Sequence, residues 1–252
     1  MYILFGLIVF VILCIIAFEF SHKSPNDKKI VLPQIIPKII IQTWKSNNIP
    51  DRYIPLIKNI KNNNPDYEYK LFTDEDIEYF LKSNYSEYYE TYKNLPIKIQ
   101  KIDYFRYIAI YHYGGFYMDL DMDGLENMDD LLHHRVVFPI DEYITKQHGE
   151  HARYKEYYIN KQPFLLGQYA FAAEPNNKFI KEIIDNIHKN INNIVKRVNH
   201  NDDEYVYKTT GPDYISSIYM NSPYKKEVHI LDNGKRQYFG NYAQHKYFGT
   251  WK

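Results

Sequence analysis

Three aspartates at alternate positions follow a double glycine, and together they could hold a metal ion. Asp119, Asp121 and Asp123 come shortly after Gly114-Gly115. In an extended segment, residues two apart project to the same side, so a neighbouring pair of these carboxylates can face one ion. Such oxygen ligands suit Mg²⁺ or Mn²⁺, which complete their coordination with phosphate oxygens. The alternative is a solvated acidic turn, and spacing alone leaves open which pair would bind the ion.

An aspartate and an arginine precede the double glycine and could recognise a ligand that carries hydroxyl groups. Asp103 and Arg106 are three residues apart in a predicted helix, so their side chains share one helix face. A carboxylate accepts hydrogen bonds and a guanidinium donates them, and this combination suits hydroxyl recognition. The alternative is an ion pair on the helix surface, which would contribute little to stability.

The segments that position these residues alternate between strand patterns and helix patterns. Short apolar runs predict strands at residues 38–44, 67–72, 116–122, 135–139 and 164–173. Helices are predicted at residues 53–62, 73–81, 96–113 and 177–198, with Thr73 as the N-cap of the second. Strands that alternate with helices predict an α/β sandwich around a mainly parallel central sheet.

A tryptophan at the end of the first predicted strand is a candidate ligand contact. Trp44 follows the apolar run that begins at residue 38. In α/β sheets, ligands bind beyond the carboxyl ends of the strands, and an indole ring offers a broad face for stacking on a nucleobase. A purely structural role in the core is the equally weighted alternative.

Composition limits the classes of function. The 252 residues fit a single domain, and 31 basic residues balance 31 acidic ones. This balance argues against a nucleic-acid partner, because nucleic-acid binders carry a basic excess. Cys14 is the only cysteine, so the folded domain has no disulfide, no cysteine-rich zinc site and no cysteine nucleophile.

The N-terminus predicts attachment to a membrane. Residues 1–18 are almost entirely apolar and are interpreted as an uncleaved single-pass transmembrane anchor. Residues 19–35 are interpreted as a proline-containing tether, and the folded domain is expected to span 36–252. Three lysines just after the apolar run favour a cytosolic domain by the positive-inside rule. The sequon Asn84-Tyr85-Ser86 would matter only on the luminal side.

The order of several motifs resembles the family 32 glycosyltransferases, which carry the DXD sugar-binding region. The motifs are Ile36-Pro37-Lys38-Ile-Ile-Ile-Gln42-Thr43-Trp44, Asp103…Arg106-Tyr107, Gly114-Gly115-x-Tyr117-x-Asp119-x-Asp121, Thr210-Gly211-Pro212 and His245-x-x-x-Gly249-Thr250-Trp251. This family includes initiating mannosyltransferases and inositol-phosphoceramide mannosyltransferases. Three positions depart from its pattern, since Ile41, Ile102 and Thr250 stand where the family often has His, Ser and Ser.

The resemblance implies a GT-A-like, Rossmann-like nucleotide-sugar-binding fold and a metal-dependent transfer with retained configuration. The donor would be a GDP- or UDP-hexose, with mannose favoured, and the location a Golgi- or ER-type membrane. Asp121 and Asp119 would be the catalytic residues and, with His245, would bind Mn²⁺ or Mg²⁺. The implied donor-binding residues are Trp44, Asp103, Arg106, Tyr107, Gly115, Tyr117, Asp119, Gly211, Thr250 and Trp251.

Other interpretations remain open from the sequence. One is a catalytically inactive sugar-binding or scaffold protein with the same fold, and another is a metal-dependent phosphohydrolase or nucleotidyltransferase. No base or nucleophile is evident, although Glu174 and Asp213 are candidates. The leaving phosphate could instead take the acceptor's proton in a front-face attack. The acceptor could be a lipid, a glycan or a protein, and a membrane anchor favours the first two.

Overall fold

A computed structural model describes residues 33–196 and 203–249 of the chain. The predicted anchor at residues 1–18, Cys14, most of the tether, Thr250 and Trp251 lie outside the described residues. Within the described ranges, no helix has both the length and the apolar character needed to cross a bilayer. The described residues from Gln34 onward form one compact unit.

Strands and helices alternate along the chain, as the sequence predicts. The strands are β1 (Ile39–Thr43), β2 (Glu68–Phe72), β3 (Gly115–Met118), β4 (Met122–Gly124), β5 (Val136–Tyr143), β6 (Phe164–Leu166), β7 (Ala170–Ala173), β8 (Val228–Leu231), β9 (Tyr238–Phe239) and β10 (Ala243–His245). The helices are α1 (Ile54–Asn63), α2 (Asp74–Asn84), α3 (Ser86–Asn94), α4 (Lys98–Tyr113), α5 (Ala152–Ile159), α6 (Lys178–Lys196), α7 (Asp203–Thr209) and α8 (Pro212–Asn221).

Seven strands form the central sheet, in the order β2-β1-β3-β7-β5-β6, with β8 also paired to β5. Strands β1, β2, β3, β5 and β8 run in one direction, while β6 and β7 run in the other. The sheet is therefore mixed, with most strands parallel to one another. A second, three-stranded sheet has the order β4-β10-β9. The α/β fold with a mainly parallel central sheet is confirmed.

Both faces of the central sheet are covered. Side chains alternate between the two faces along each strand, and neighbouring apolar residues therefore pack into different cores. Ile41 and Tyr117 face a core formed with helices α2, α3, α4, α6, α7 and α8. Ile40 and Phe116 face a second core that includes residues of α1 and of the three-stranded sheet. This arrangement fixes the ends of β1 and β3 between two packed layers, and the polar residues that follow those strands are held in place.

The double glycine allows β3 to approach β1 closely. Gly115 has a φ of 86°, and a Cβ atom there would lie 2.4 Å from the carbonyl oxygen of Ile39. Only glycine combines this left-handed backbone with such a contact. Helix α4 ends just before, and β3 then pairs with β1 in parallel register. The glycine pair therefore sets the position of β3 and of the residues that follow it.

Two predicted strands differ from the observed ones, and both differences occur near the polar residues of interest. The strand predicted at 116–122 ends at Met118, because the chain turns and the Met122 amide donates to the Asp119 carbonyl at 3.0 Å. Asp119 and Asp121 thus lie in a turn, and the prediction that they share a strand face is wrong. The strand predicted at 164–173 is broken at residues 167–169 into β6 and β7.

Candidate active site

Two carboxylates and one imidazole converge where β3 ends. Ligand atoms of Asp119, Asp121 and His245 all lie within 4.8 Å of one another. The turn after β3 presents the aspartates, and the antiparallel pairing of β10 with β4 places His245 opposite Met122. The Lys246 amide also donates to the Asp121 carbonyl at 2.9 Å. Backbone pairing therefore brings together residues that are far apart in sequence.

The Asp121 carboxylate is held in its ionised form by its neighbours. It forms a 3.0 Å bond with His245 Nε2 and accepts one from the Phe248 amide at 2.9 Å. Burial alone would raise the pKa of Asp121, but the His245 and Phe248 bonds outweigh it and hold the pKa below its usual range. Burial lowers the pKa of His245, yet the bond to Asp121 raises it above the usual value.

This cluster fits a divalent cation. In the described part of the chain, the buried Nδ1 of His245 has no hydrogen-bond partner. Among the same residues, no other group of three His, Cys, Asp or Glu side chains is close enough to bind one ion. Carboxylate oxygens with one imidazole nitrogen form a donor set that suits a divalent cation. Asp123 lies outside the cluster, since its carboxylate bonds to Asn59 at 2.8 Å and to Lys246 at 3.0 Å.

A buried arginine joins the turn after β3 to helix α4. The Arg106 Nη2 atom lies 3.1 Å from Asp103 and 3.3 Å from Asp119, and its Nη1 donates to the Gln168 carbonyl at 3.0 Å. Arg106 is 2% exposed and Asp103 is 1% exposed. The interpretation of Asp103 and Arg106 as a surface ion pair is therefore wrong. Two carboxylates share one guanidinium, so the site holds more negative than positive charge.

The buried carboxylates are costly unless their charge is compensated. Burial raises the pKa of Asp103 to about 6, although Arg106, Thr210 and Gln168 act to lower it. Burial likewise raises the pKa of Asp119, against the effect of Arg106. An additional cation beside Asp119 and Asp121 would offset this cost, because buried charges are stable when they are paired.

Two tyrosines predicted to bind the donor hold other site residues in place. Tyr107 donates to the Gln168 side-chain oxygen and to the Thr210 carbonyl at 3.3 Å. Tyr117 donates to the Asp119 carboxylate at 2.9 Å and lies 3.2 Å from the Thr43 hydroxyl. Tyr117 also lines the cleft, whereas Tyr107 is fully buried behind it. Tyr117 therefore orients Asp119 directly, whereas Tyr107 acts through Gln168 and Thr210, whose side chains donate to Asp103. Of the two tyrosines, Tyr117 is the one placed at the cleft.

The cluster lies between two lobes of one cleft. The larger lobe, here called the aromatic lobe, has a volume of about 300 Å³ and is lined by Trp44, Tyr53, Ile97, Ile102, Tyr117 and Asp121. The smaller, here called the polar lobe, has a volume of about 120 Å³ and is lined by Asp103, Asp141, Arg153, Gln168, Arg236 and Gln237. Arg106, Asp119, His245 and Tyr247 line both lobes.

Some predicted residues lie away from the cleft. Gly115 begins β3, while Asp119 follows the other end of that strand. Gly211 caps helix α8, and a Cβ atom there would lie 2.7 Å from the Tyr207 Cα. Neither glycine is among the residues that line the two lobes. Their positions indicate a role in backbone packing.

Neither candidate nucleophile has a free carboxylate in the cleft. Glu174 pairs with Arg135 at 2.6 Å. It follows the end of β7 that pairs with Gly115, whereas Asp119 follows the other end of β3. Asp213 is buried, and its two oxygens bond to Arg153 at 2.5 Å and to the Tyr157 hydroxyl at 3.0 Å. Asp213 therefore positions Arg153.

Several residues that line the cleft were not predicted, because no motif or periodic pattern in the sequence distinguishes them. Gln168 lies in the break between β6 and β7, and Gly167 before it was the only hint of that break. Tyr247 is 57% exposed and has a φ of 58°, an uncommon backbone conformation that occurs often at functional sites. Asp141, Arg153 and Arg236 come from three distant segments.

Comparison with known proteins agrees with this geometry. Residues 50–138 match the family described as "Glycosyltransferase sugar-binding region containing DXD motif". Inositol phosphoceramide mannosyltransferase 1 of Schizosaccharomyces pombe is 30% identical over 226 residues, which are 85% of this chain and 63% of that protein. Mannosyl phosphorylinositol ceramide synthase CSH1 of Saccharomyces cerevisiae is 43% identical over 101 residues, 40% of this chain and 27% of that protein. The chain thus spans less than two thirds of these relatives.

Solved structures share the fold at low sequence identity. PaToxG Glycosyltransferase superposes with a TM-score of 0.53 at 18% identity, over 77% of this chain and 73% of that one. The ligand-free glycosyltransferase domain from the YGT toxin has a TM-score of 0.51 at 9% identity, over 79% of this chain and 80% of that one. The predicted GT-A fold and the similarity to family 32 glycosyltransferases are confirmed.

Proposed function

We propose that this chain, a family 32-like glycosyltransferase, transfers a hexose from a nucleotide sugar to an acceptor hydroxyl with the help of one divalent ion. The observation that carries the proposal is the meeting of Asp119, Asp121 and His245 at the junction of the two lobes. There an ion would bind the donor's diphosphate and stabilise the negative charge that develops as the diphosphate leaves. We propose Mn²⁺, with Mg²⁺ as the second choice.

The aromatic lobe is suited to the nucleotide part of the donor. Trp44 lies at its wall, 4.9 Å from the ring of Tyr53, so the two rings form an aromatic surface. A nucleobase gains free energy by stacking on such a surface. We propose GDP as the nucleotide and mannose as the sugar, with UDP-hexoses as alternatives, because the similar yeast proteins are named mannosyltransferases.

The chain's own residues orient the reacting groups. Arg106 is fixed by Asp103 and borders both lobes, so it can donate to oxygens of the donor beside the diphosphate. Tyr117 and Arg106 hold the Asp119 carboxylate from two sides. The acceptor oxygen bonds to the anomeric carbon, and the bond from that carbon to the diphosphate oxygen breaks. The diphosphate keeps the electron pair and takes the acceptor's proton, and front-face attack retains the configuration.

We also propose a membrane-associated acceptor. One similar yeast protein is named an inositol phosphoceramide mannosyltransferase and another a mannosyl phosphorylinositol ceramide synthase. A lipid or a membrane-bound glycan would be reachable if residues 1–18 anchor the domain at 36–252. A Golgi- or ER-type membrane is the location that we propose. Protein acceptors are the alternative.

A donor screen tests this proposal. The full-length chain in detergent is incubated with Mn²⁺ and GDP-mannose, UDP-glucose, UDP-galactose or UDP-N-acetylglucosamine, and release of the nucleoside diphosphate is measured. We expect slow hydrolysis of one donor, and loss of that hydrolysis when EDTA removes the ion. Cleavage of free GDP or UDP at an equal rate would favour a phosphohydrolase. No hydrolysis of any donor would favour an inactive sugar-binding protein.

A further inference from the structure

The polar lobe is the space that the proposed function leaves for the hexose of the donor. The proposed ion and the diphosphate lie where the two lobes meet, and the nucleotide is assigned to the aromatic lobe. The hexose, on the other side of the diphosphate, therefore extends into the polar lobe. Arg106 and Asp119 border both lobes and so stand at the anomeric end of this hexose. The residues at the other end of the lobe have no assigned role.

That other end is formed by Asp141 and Arg236. Both line the polar lobe, and both also line an outer groove of about 140 Å³, which is formed by residues of β5 and by residues 231–236. Neither is among the residues that line the aromatic lobe. Asp141 and Arg236 therefore lie where the polar lobe meets the outer groove, away from the junction with the aromatic lobe.

A distortion of the sheet affects the position of Asp141. The pairing of β5 with β6 shifts register between Ile140 and Glu142, which pair with Leu166 and Leu165. Asp141 is the extra residue of this β-bulge. Bulges redirect a side chain from its regular alternation and are common beside active sites. The bulge is consistent with the place of Asp141 in the wall of the lobe.

The Asp141 carboxylate is available to a ligand. Among residues 33–196 and 203–249 it forms no hydrogen bond, and its interactions with Arg236 and Arg153 are electrostatic only. Arg153 is bound by Asp213 at 2.5 and 3.2 Å, and Arg236 by Glu142 at 3.0 Å. Burial raises the pKa of Asp141 to about 6, so at neutral pH the group is mostly ionised and accepts hydrogen bonds. A desolvated carboxylate without a donor is costly, and a ligand hydroxyl would relieve that cost.

The lining of the polar lobe matches the two kinds of surface on a hexose ring. A hexose has hydroxyl groups around its edge and C–H groups on its faces. Ile99, Val206 and Pro212 give the lobe an apolar side. The rest of the lining includes carboxylates, guanidinium groups and the side-chain amides of Gln168 and Gln237, which accept from and donate to hydroxyl groups.

We propose that Asp141 determines which hexose the donor carries, because its carboxylate accepts a hydrogen bond from a hydroxyl on the side of the ring away from the anomeric carbon. The candidates are the hydroxyl groups at positions 3, 4 and 6. This inference rests on the proposed function. A hexose without that hydroxyl, or with the opposite configuration there, would leave the buried carboxylate unpaired, and sites built to bind a hydroxyl discriminate strongly against such analogues.

Donors that lack one hydroxyl each, combined with variants of Asp141, test the proposal. Full-length wild type, Asp141→Ala and Asp141→Asn are assayed with Mn²⁺ and GDP-mannose or its 3-deoxy, 4-deoxy and 6-deoxy derivatives. The same derivatives of a UDP-hexose are used if the wild type hydrolyses that donor instead. Release of the nucleoside diphosphate gives kcat/KM. Comparing two proteins on the same donor cancels differences in the donors' intrinsic reactivity.

Glu156→Gln is the matched control. Glu156 is an exposed carboxylate on helix α5, which also carries Arg153, and it is not among the residues that line the polar lobe. Its kcat/KM should stay within about twofold of the wild type on every donor, as expected for a surface substitution.

We expect wild-type kcat/KM to fall about 10- to 100-fold on one deoxy donor, the usual loss when a hydrogen bond to a charged group is removed. Asp141→Ala should lose a similar factor on the parent donor. On that deoxy donor Asp141→Ala should lose less than about twofold more than the wild type does, because the same bond cannot be lost twice. Asp141→Asn keeps an acceptor oxygen and should lose less than Asp141→Ala.

An equal loss by Asp141→Ala on the parent and on every deoxy donor, or no loss at all, would overturn the role of Asp141 and leave the proposed function standing. If the wild type hydrolyses no donor, the proposed function fails and this inference with it. Thermal unfolding of the same samples shows whether each variant is folded, and Asp141→Asn takes the place of an unfolded Asp141→Ala. Equal wild-type rates on the parent and all three deoxy donors would overturn the inference without any variant.

Discussion

Replacing Asp121 with asparagine is expected to reduce Mn²⁺-dependent donor hydrolysis and transfer about 100- to 1000-fold, the usual loss when one preorganised group that stabilises developing charge is removed. The substitution keeps an oxygen that can accept from the Phe248 amide, so local structure should persist. It removes the negative charge that lies 3.0 Å from His245 Nε2 and that would face the ion. Steady-state rates across a Mn²⁺ series, with circular dichroism to verify folding, measure the effect.

Asp123→Asn is the matched control for this prediction. It makes the same chemical change two residues along the chain, but Asp123 bonds to Asn59 and Lys246 and lies outside the cluster. Its rates should stay within about threefold of the wild type, as expected for a substitution away from the site. If Asp123→Asn lost as much activity as Asp121→Asn, the assignment of the ion to the first two aspartates would be contradicted.

Removing the buried guanidinium is expected to have the largest effect on stability. Arg106→Met should lower the free energy of unfolding by about 3–5 kcal/mol in metal-free buffer, because Asp103 and Asp119 lose their shared buried counter-charge. Methionine is flexible and fills part of the same volume, so most of the loss comes from the unpaired carboxylates. Urea denaturation, followed by tryptophan fluorescence, measures the change.

A double variant separates charge from packing. Asp103→Asn with Arg106→Met removes one of the stranded carboxylates and should recover part of the lost stability, since coupled residues are not additive. Donor hydrolysis should stay low in both variants, because both lack the Arg106 guanidinium that borders the proposed diphosphate position. A loss below about 1 kcal/mol in Arg106→Met, typical of an exposed ion pair, would contradict the buried network.

The sequence predicts the framework well where local signals are strong. The Thr73–Asp76 capping box is present at the start of α2, and the long helix before the double glycine runs from Lys98 to Tyr113. Helix α3 was not predicted, because its tyrosine-rich segment from Ser86 to Asn94 has a weak apolar pattern. The turn at Asp119 was also missed, since alternating apolar and acidic residues look the same in a strand and in this turn.

The site itself depends on contacts that no local pattern contains. His245 could be connected with Asp121 only through a resemblance, because the pairing of β10 with β4 joins segments more than a hundred residues apart. The bulge at Asp141 depends on the register of β5 against β6. Gly115 was expected to bind the donor, on the basis of the family resemblance. In the structure its backbone instead lies close to Ile39 in β1.

The central claim is that one divalent ion binds at Asp119, Asp121 and His245 together with the donor's diphosphate. Electron paramagnetic resonance of Mn²⁺, titrated with the full-length chain in the presence of GDP or UDP, tests it without any need for turnover. The account predicts about one Mn²⁺ bound per wild-type chain, with the affinity enhanced by one of the nucleotides and lost in Asp121→Asn. Equal Mn²⁺ binding by wild type and Asp121→Asn, or none by the wild type, would contradict it.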